Sequence, residues 1–258
     1  MGYNLPVNMK QLVFSLILAA AISGLALATT WFSEEITCPL CGTKNTFYSI
    51  RSYGTYIYQW PSRYQLIFWP KTDAFFLWSC KKCKLTTYMW DFEKIPEEKR
   101  DSIRAVLMDV SLSGEYKGYH GIPMPERLEI AEKVYRVLGR DEYFWCEFYR
   151  VKAYHLDLAG REGEAKAARL KALAIAEGML ARPENQGIAK ELLAIAGAMR
   201  YFTGDSEGAI KDLKKAQGLT YAREGMTDEQ IANTNDFFNA LLADYIDKIE
   251  RGEEIPRY

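Results

Sequence analysis

Histidine is nearly absent from this 258-residue chain, with His120 and His155 the only two. The chain also has no His-Glu-x-x-His, no Gly-x-Ser-x-Gly and no glycine-rich phosphate loop. The usual signatures of zinc proteases, serine hydrolases and nucleotide-binding enzymes are therefore missing. An excess of either charge is lacking too: 33 Lys and Arg stand against 34 Asp and Glu. No global field recruits nucleic acid, and no nucleic-acid partner is expected. His120 sits in a Gly-rich stretch and His155 near Asp157, neither with a recognisable catalytic partner. Acid pairs such as Glu34-Glu35 and Glu97-Glu98 suit a segment flank and a helix start better than a catalytic dyad. No catalytic residue is assigned, and the chain reads as non-enzymatic.

Cysteine is scarce as well, but four of the five form two pairs of identical spacing, Cys38-Pro-Leu-Cys41 and Cys80-Lys-Lys-Cys83. A Cys-x-x-Cys turn lets two sulfurs converge on one ion while backbone N–H groups point at the thiolates. Two such turns complete a closed tetrahedral shell with no open position for a reactive water. Structural zinc is the first expectation for Cys38, Cys41, Cys80 and Cys83, and disulfides in its place are the alternative. A c-type haem requires His after the second cysteine, where Gly42 and Lys84 stand instead. Thiol–disulfide exchange through Cys80 and Cys83, beside Lys81 and Lys82, is the rival function, although the thioredoxin-like alternation of strands and helices is absent. Cys146 reads as a buried helix residue.

The N-terminus carries a second strong signal. Leu12 to Ala28 is an uncharged run of 17 residues preceded by Lys10 and followed by Trp31, Phe32, Glu34 and Glu35. Residues 1–29 fit a signal peptide cleaved after Ala26-Leu27-Ala28, or, uncleaved, a membrane anchor through residues 12–28 with Trp31 and Phe32 at the interface. Both place the rest of the chain outside the cytoplasm, exported or held at the cytoplasmic membrane. This is the compartment in which disulfides compete with zinc.

Beyond the apolar run the texture is short and aromatic, with fifteen Phe, Trp or Tyr between Phe47 and Phe92. Thr46 to Ile50, Ala74 to Ser79 and Thr86 to Phe92 read as strands. Residues 30–95 are thus expected to form a small, β-rich, zinc-ribbon-like domain. From Pro96 the apolar period becomes helical. A helix starting at Pro96 and a Gly/Pro-punctuated linker occupy 96–124. Helices are expected from Pro125, then over Asp141–Ala159, Arg161–Ala181, Asn185–Phe202, Ser206–Arg223 and Thr227–Glu250. The last opens with Thr227 and Gln230 in capping-box spacing.

Gly160-Arg161 followed by Ala165 and Ala172 recurs, 44 residues on, as Gly204-Asp205 followed by Ala209 and Ala216. The alanines fall where paired helices would cross closely, and the second copy resembles the turn and helix start of a tetratricopeptide repeat. Residues 125–258 are therefore expected to form an α-helical, tetratricopeptide-like repeat domain offering a surface to a protein or peptide partner. The order CPLCG, an aromatic insert, a second Cys-x-x-Cys, Tyr88-Met89-Trp90-Asp91-Phe92 and a repeat-like tail resembles the bacterial DUF2225 family. That resemblance implies a zinc-binding N-terminal part, metal ligation by Cys38, Cys41, Cys80 and Cys83, and no reaction. Lys84, where glycine would commonly follow the cysteine, departs from the pattern. The expected fold is α+β: an N-terminal apolar helix, a small metal-stabilised ribbon and a helical domain. The expected role is that of a binding and scaffold protein.

Overall fold

The computed structural model describes residues 30–52 and 61–257. The apolar run from Leu12 to Ala28, with the anchor or signal expected there, lies outside the described residues. Among the described residues no helix is long and apolar enough to cross a membrane. The fold is mixed, with two small sheets followed by a helical C-terminal part.

Each sheet is a two-stranded antiparallel hairpin. β1 (Thr30–Thr37) pairs with β2 (Lys44–Ser52), and β3 (Leu77–Ser79) pairs with β4 (Thr86–Tyr88). The stretches read as strands over 46–50, 74–79 and 86–92 fall on β2, β3 and β4, but β1 was not foreseen, because Glu34-Glu35 interrupts its apolar pattern. β3 and β4 are shorter than their aromatic content suggests, because their outer backbone groups bond elsewhere. Tyr88 N–H donates to the Tyr135 hydroxyl at 2.7 Å, and the carbonyls of Ala74 and Leu77 accept from Arg127.

Seven α-helices follow among the described residues: α1 (Arg100–Leu107), α2 (Met124–Leu138), α3 (Glu142–Leu158), α4 (Glu162–Leu180), α5 (Ala189–Thr203), α6 (Ser206–Gln217) and α7 (Asp228–Glu250). Their ends follow local chemistry. Asp141 and Asp205 cap α3 and α6 by accepting from Phe144 and Gly208 N–H, and the Thr227/Gln230 capping box opens α7. Consecutive helices from α3 to α7 pack on one another. Ala165, Ala172, Ala209 and Ala216 are all fully buried. Gly197 on α5 faces Leu213 so closely that a Cβ there would lie 2.7 Å from Leu213 Cγ.

Two expected helices are shorter than their periodicity. A 3-10 turn over Pro183–Ile188 precedes α5, and α6 ends at Gln217 instead of running to Arg223. Tertiary bonds claim the lost turn. Asn235 on α7 grips the backbone of Tyr221, accepting from its N–H and donating to its carbonyl, both at 2.8 Å. Ala222 N–H donates to the Gly187 carbonyl at 2.8 Å.

Two cores meet on α2. Leu128, Ala131 and Tyr135 face the large core shared by α3 to α7. Ile130 and Val134 face a second core built on the hairpins, α1 and Tyr119. Tyr119 comes from the stretch read as a linker and is buried, edge-on to Phe47 at 5.0 Å.

The later part of the aromatic insert, from residue 62, forms a strap. Residues 62–76 run across several helices before entering β3, and three buried arginines hold them. Arg150 on α3 donates to the carbonyls of Gln65 and Leu66 at 3.2 and 2.6 Å. Arg127 on α2 donates to Ala74 and Leu77 at 2.7 and 2.9 Å. Arg169 on α4 donates to Gln65 Oε1 and pairs with Asp157. Arg63 bonds Asp244 on α7 at 2.8 Å, and Tyr64 packs edge-on against Tyr245. His155 is buried on α3, stacked on Phe76, with Nε2 2.8 Å from the Lys71 carbonyl. Burial pushes its pKa down to about 4.

Candidate metal centre

Each Cys-x-x-Cys is the turn of one hairpin, and the two turns are built alike. The pairs Thr37–Lys44 and Ser79–Thr86 close the ladders, leaving turns over residues 38–43 and 80–85. In the first, Cys38 N–H donates to the Thr43 carbonyl and Gly42 N–H to the Cys38 carbonyl, both at 2.9 Å. In the second, Cys80 N–H donates to Leu85 at 2.9 Å and Lys84 N–H to Cys80 at 3.0 Å. The residue after the second cysteine is left-handed in both, with φ +71° at Gly42 and +63° at Lys84. Lys84 therefore keeps the turn that its departure from glycine put in question. Its ammonium also reaches the Val110 carbonyl beyond α1, tying the turn to the helix.

The four sulfurs converge. All lie within 4.8 Å of one another, and Cys38–Cys83 and Cys41–Cys80 meet between the turns at 3.6 Å. No pair is at the roughly 2.05 Å of a disulfide. Four sulfurs at the ~2.3 Å bond length of a tetrahedral zinc thiolate stand about 3.8 Å apart, so the cluster matches the size of that shell. Cys38 and Cys80 are almost completely buried, while Cys41 and Cys83 reach the surface.

The thiols of the cluster perturb one another. Hydrogen bonds from Cys38 and Cys83 hold the Cys80 thiol well below its ordinary value. The same contact with Cys80 pushes Cys38 up to about 12, and Cys83 is raised chiefly by its contact with Cys38. Thiols this close share negative charge poorly. A central dication would remove that competition by stabilising every thiolate together.

Asn45 links the turns and carries no signal of its own in the sequence. It is 3% exposed; its Nδ2 donates to the Thr43 carbonyl at 2.8 Å and lies 3.6 Å from Cys80 Sγ, and its Oδ1 accepts from Lys81 N–H at 2.9 Å. One amide thus holds both turns and touches a sulfur of the cluster. Arg104 on α1 donates to the Leu40 carbonyl inside the first turn at 2.9 Å. Behind the cysteines Phe47 and Trp78 stack at 4.5 Å with their planes 5° apart, and Trp78 Nε1 donates to the Tyr48 carbonyl at 3.0 Å. The walls therefore join both hairpins, and Cys83 lines a surface cleft together with Leu40, Lys82 and Arg104.

The remaining candidates lie apart from this centre. Cys146 is buried on α3 against the Ala172 carbonyl, and burial raises its pKa. Trp31 packs on Trp69 and Phe75, while Phe32 is 44% exposed under Arg51. The chain matches no protein-family model, no curated protein and no solved structure.

Proposed function

We propose that this chain is a non-enzymatic binding and scaffold protein, exported or membrane-anchored, whose Cys38, Cys41, Cys80 and Cys83 hold one structural zinc. The observation that carries the reading is the convergence of four sulfurs from two matching hairpin turns. Zinc is chosen because an all-sulfur tetrahedral shell suits it and leaves no reactive position. Burial of Cys80 disfavours the rival thiol oxidoreductase, since an attacking thiolate needs access as well as a low pKa. The address rests on the apolar run alone. Kinship with the DUF2225 family rests on the spacing and order of the motifs.

The helical part, on this reading, is a tetratricopeptide-like array that meets a protein or peptide. Its support is the pair of buried alanine stripes at offset positions in successive helix pairs. The strap already covers part of α2, α3 and α7, so a partner uses other faces.

Metal analysis of the protein purified from its own compartment, with thiol titration, tests the assignment. One zinc per chain and unreactive thiols at the four positions are expected. Metal-free protein whose Cys80–Cys83 pair exchanges with a disulfide substrate refutes it. Chelation should destabilise the hairpins by several kcal/mol, since ligation energy in such sites is folding energy.

A further inference from the structure

Lys190, near the start of α5, is a buried cation without a counter-ion. It is 1% exposed, and no carboxylate lies within ion-pair distance of it among the described residues. Its ammonium donates to the Leu219 carbonyl at 2.9 Å and to Asn239 Oδ1 at 2.7 Å. Both acceptors are neutral, and an ammonium has three protons, so one donor is unused. Buried charges are ordinarily paired, because an unpaired ion loses its hydration without compensation. Burial lowers the Lys190 pKa with no opposing charge to restore it.

This lysine lies on the wall of a cleft of about 540 Å³ between the start of α5, the end of α6 and α7. Asp228, Ile231, Asn235 and Asn239 line it from α7, at spacings that share one helix face over about 17 Å. The cleft is braced. Asn235 is committed to the Tyr221 backbone, and a Cβ on Gly187 would lie 2.3 Å from the Ala222 carbonyl oxygen, so the loop forming the far wall is packed backbone to backbone. Asn239 gives Lys190 its oxygen, which leaves its Nδ2 donors for a ligand.

We propose that this cleft binds a carboxylate, with Lys190 supplying the charge and Asn239 a second N–H. A carboxylate accepts from both groups and gives the ammonium the counter-ion it lacks. The inference is independent of the cysteine centre and of a partner on the other helical faces. If Lys190 served only to cap the carbonyls that follow α6, acids would not affect it.

The test uses the full metal-loaded chain with ¹³C/¹⁵N-labelled lysine, the Lys190 signal being assigned by its loss in Lys190→Met. The probes are propionate and tetra-alanine with a free carboxylate, with propionamide and tetra-alanine amide as controls. Either acid should move the Lys190 resonance and raise its titration midpoint, while the amides should not. Preference for tetra-alanine identifies a peptide terminus as the source, and equal response identifies a small organic acid. Calorimetric affinity for the better acid should fall about tenfold in Asn239→Ala, as expected for one charge-assisted bond. Absence of any response to both acids, or an equal response to the amides, overturns the proposal. The wild-type resonance decides this even if Lys190→Met fails to fold.

Discussion

Replacing Lys84 by glycine and by alanine separates what the backbone of the second turn requires from what its side chain contributes. The residue stands at φ +63°, where a side chain costs about 1–2 kcal/mol relative to glycine. Its ammonium bond to the Val110 carbonyl offsets part of that with about 1 kcal/mol at a partly exposed site. Alanine loses the bond and keeps the strain, so Lys84→Ala should destabilise by about 1 kcal/mol. Glycine loses the bond, relieves the strain and adds about 0.5–1 kcal/mol of backbone entropy to the unfolded chain. The net effect of Lys84→Gly is then close to zero. Glycine should exceed alanine here by about 0.5–1 kcal/mol, reversing their usual order. Gly42→Ala is the mirror experiment. At φ +71° nothing lies within 4 Å of the added Cβ, so its cost, about 1 kcal/mol, comes from backbone alone. Urea unfolding of the metal-loaded protein at constant slope measures all three, and competition with a zinc chelator tells whether the loss appears in metal affinity. Alanine more stable than glycine at 84, or a neutral Gly42→Ala, would refute the matched-turn argument.

His155 supplies a pH test. Its folded pKa of about 4 lies below the ordinary 6.5, so its contribution is complete above pH 6.5 and is lost as pH falls towards 4. The loss is about 3 kcal/mol over that window, and His155→Gln should flatten this part of the stability–pH curve; parallel curves would contradict it. Arg169→Met leaves Asp157 buried with neither oxygen partnered by a charge. Unfolding should register about 3–5 kcal/mol of destabilisation, most of it recovered in Arg169→Met/Asp157→Leu. A single-variant loss under about 1 kcal/mol would show that the pair is not desolvated as described.

The four-cysteine cluster was legible because its spacing is itself the geometry: two residues between the cysteines set a hairpin turn, and the second turn repeats the first. The helices were legible from apolar period and caps, as at Thr227 and Gln230, and their close crossings from the alanines at 165, 172, 209 and 216. Asn45 was not, since a polar residue just past a turn has no distinguishing pattern until the second hairpin arrives 35 residues later. Nor were the arginines that grip the strap. Backbone carbonyls carry no sequence signature, and Arg150 meets Leu66 across 84 positions. One trace was present: Arg169 falls on the stripe of Ala165, Ala168 and Ala172, where a charge on a small-residue face signals a buried partner.

The strap makes the two halves of the molecule mechanically one. It runs directly into β3, so Cys80 lies three residues beyond Leu77, whose carbonyl Arg127 holds. Arg127 and Arg150 donate hydrogen bonds to carbonyls alone, and burial already pulls Arg127 down to about 10. Withdrawing the strap would therefore leave Arg127 without Ala74 and Arg150 without Gln65 and Leu66, each lost charge-assisted bond costing about 1.5–3 kcal/mol. Partial detachment is worse than either bound or fully solvated, which makes the junction cooperative. A metal bound at the second turn would fix the end of the strap, and the strap in turn packs on α2 and α3 through Arg127 and Arg150. On the zinc reading, the cysteine centre would steady more than the two hairpins, because it lies at the end of the segment that Arg127 and Arg150 hold.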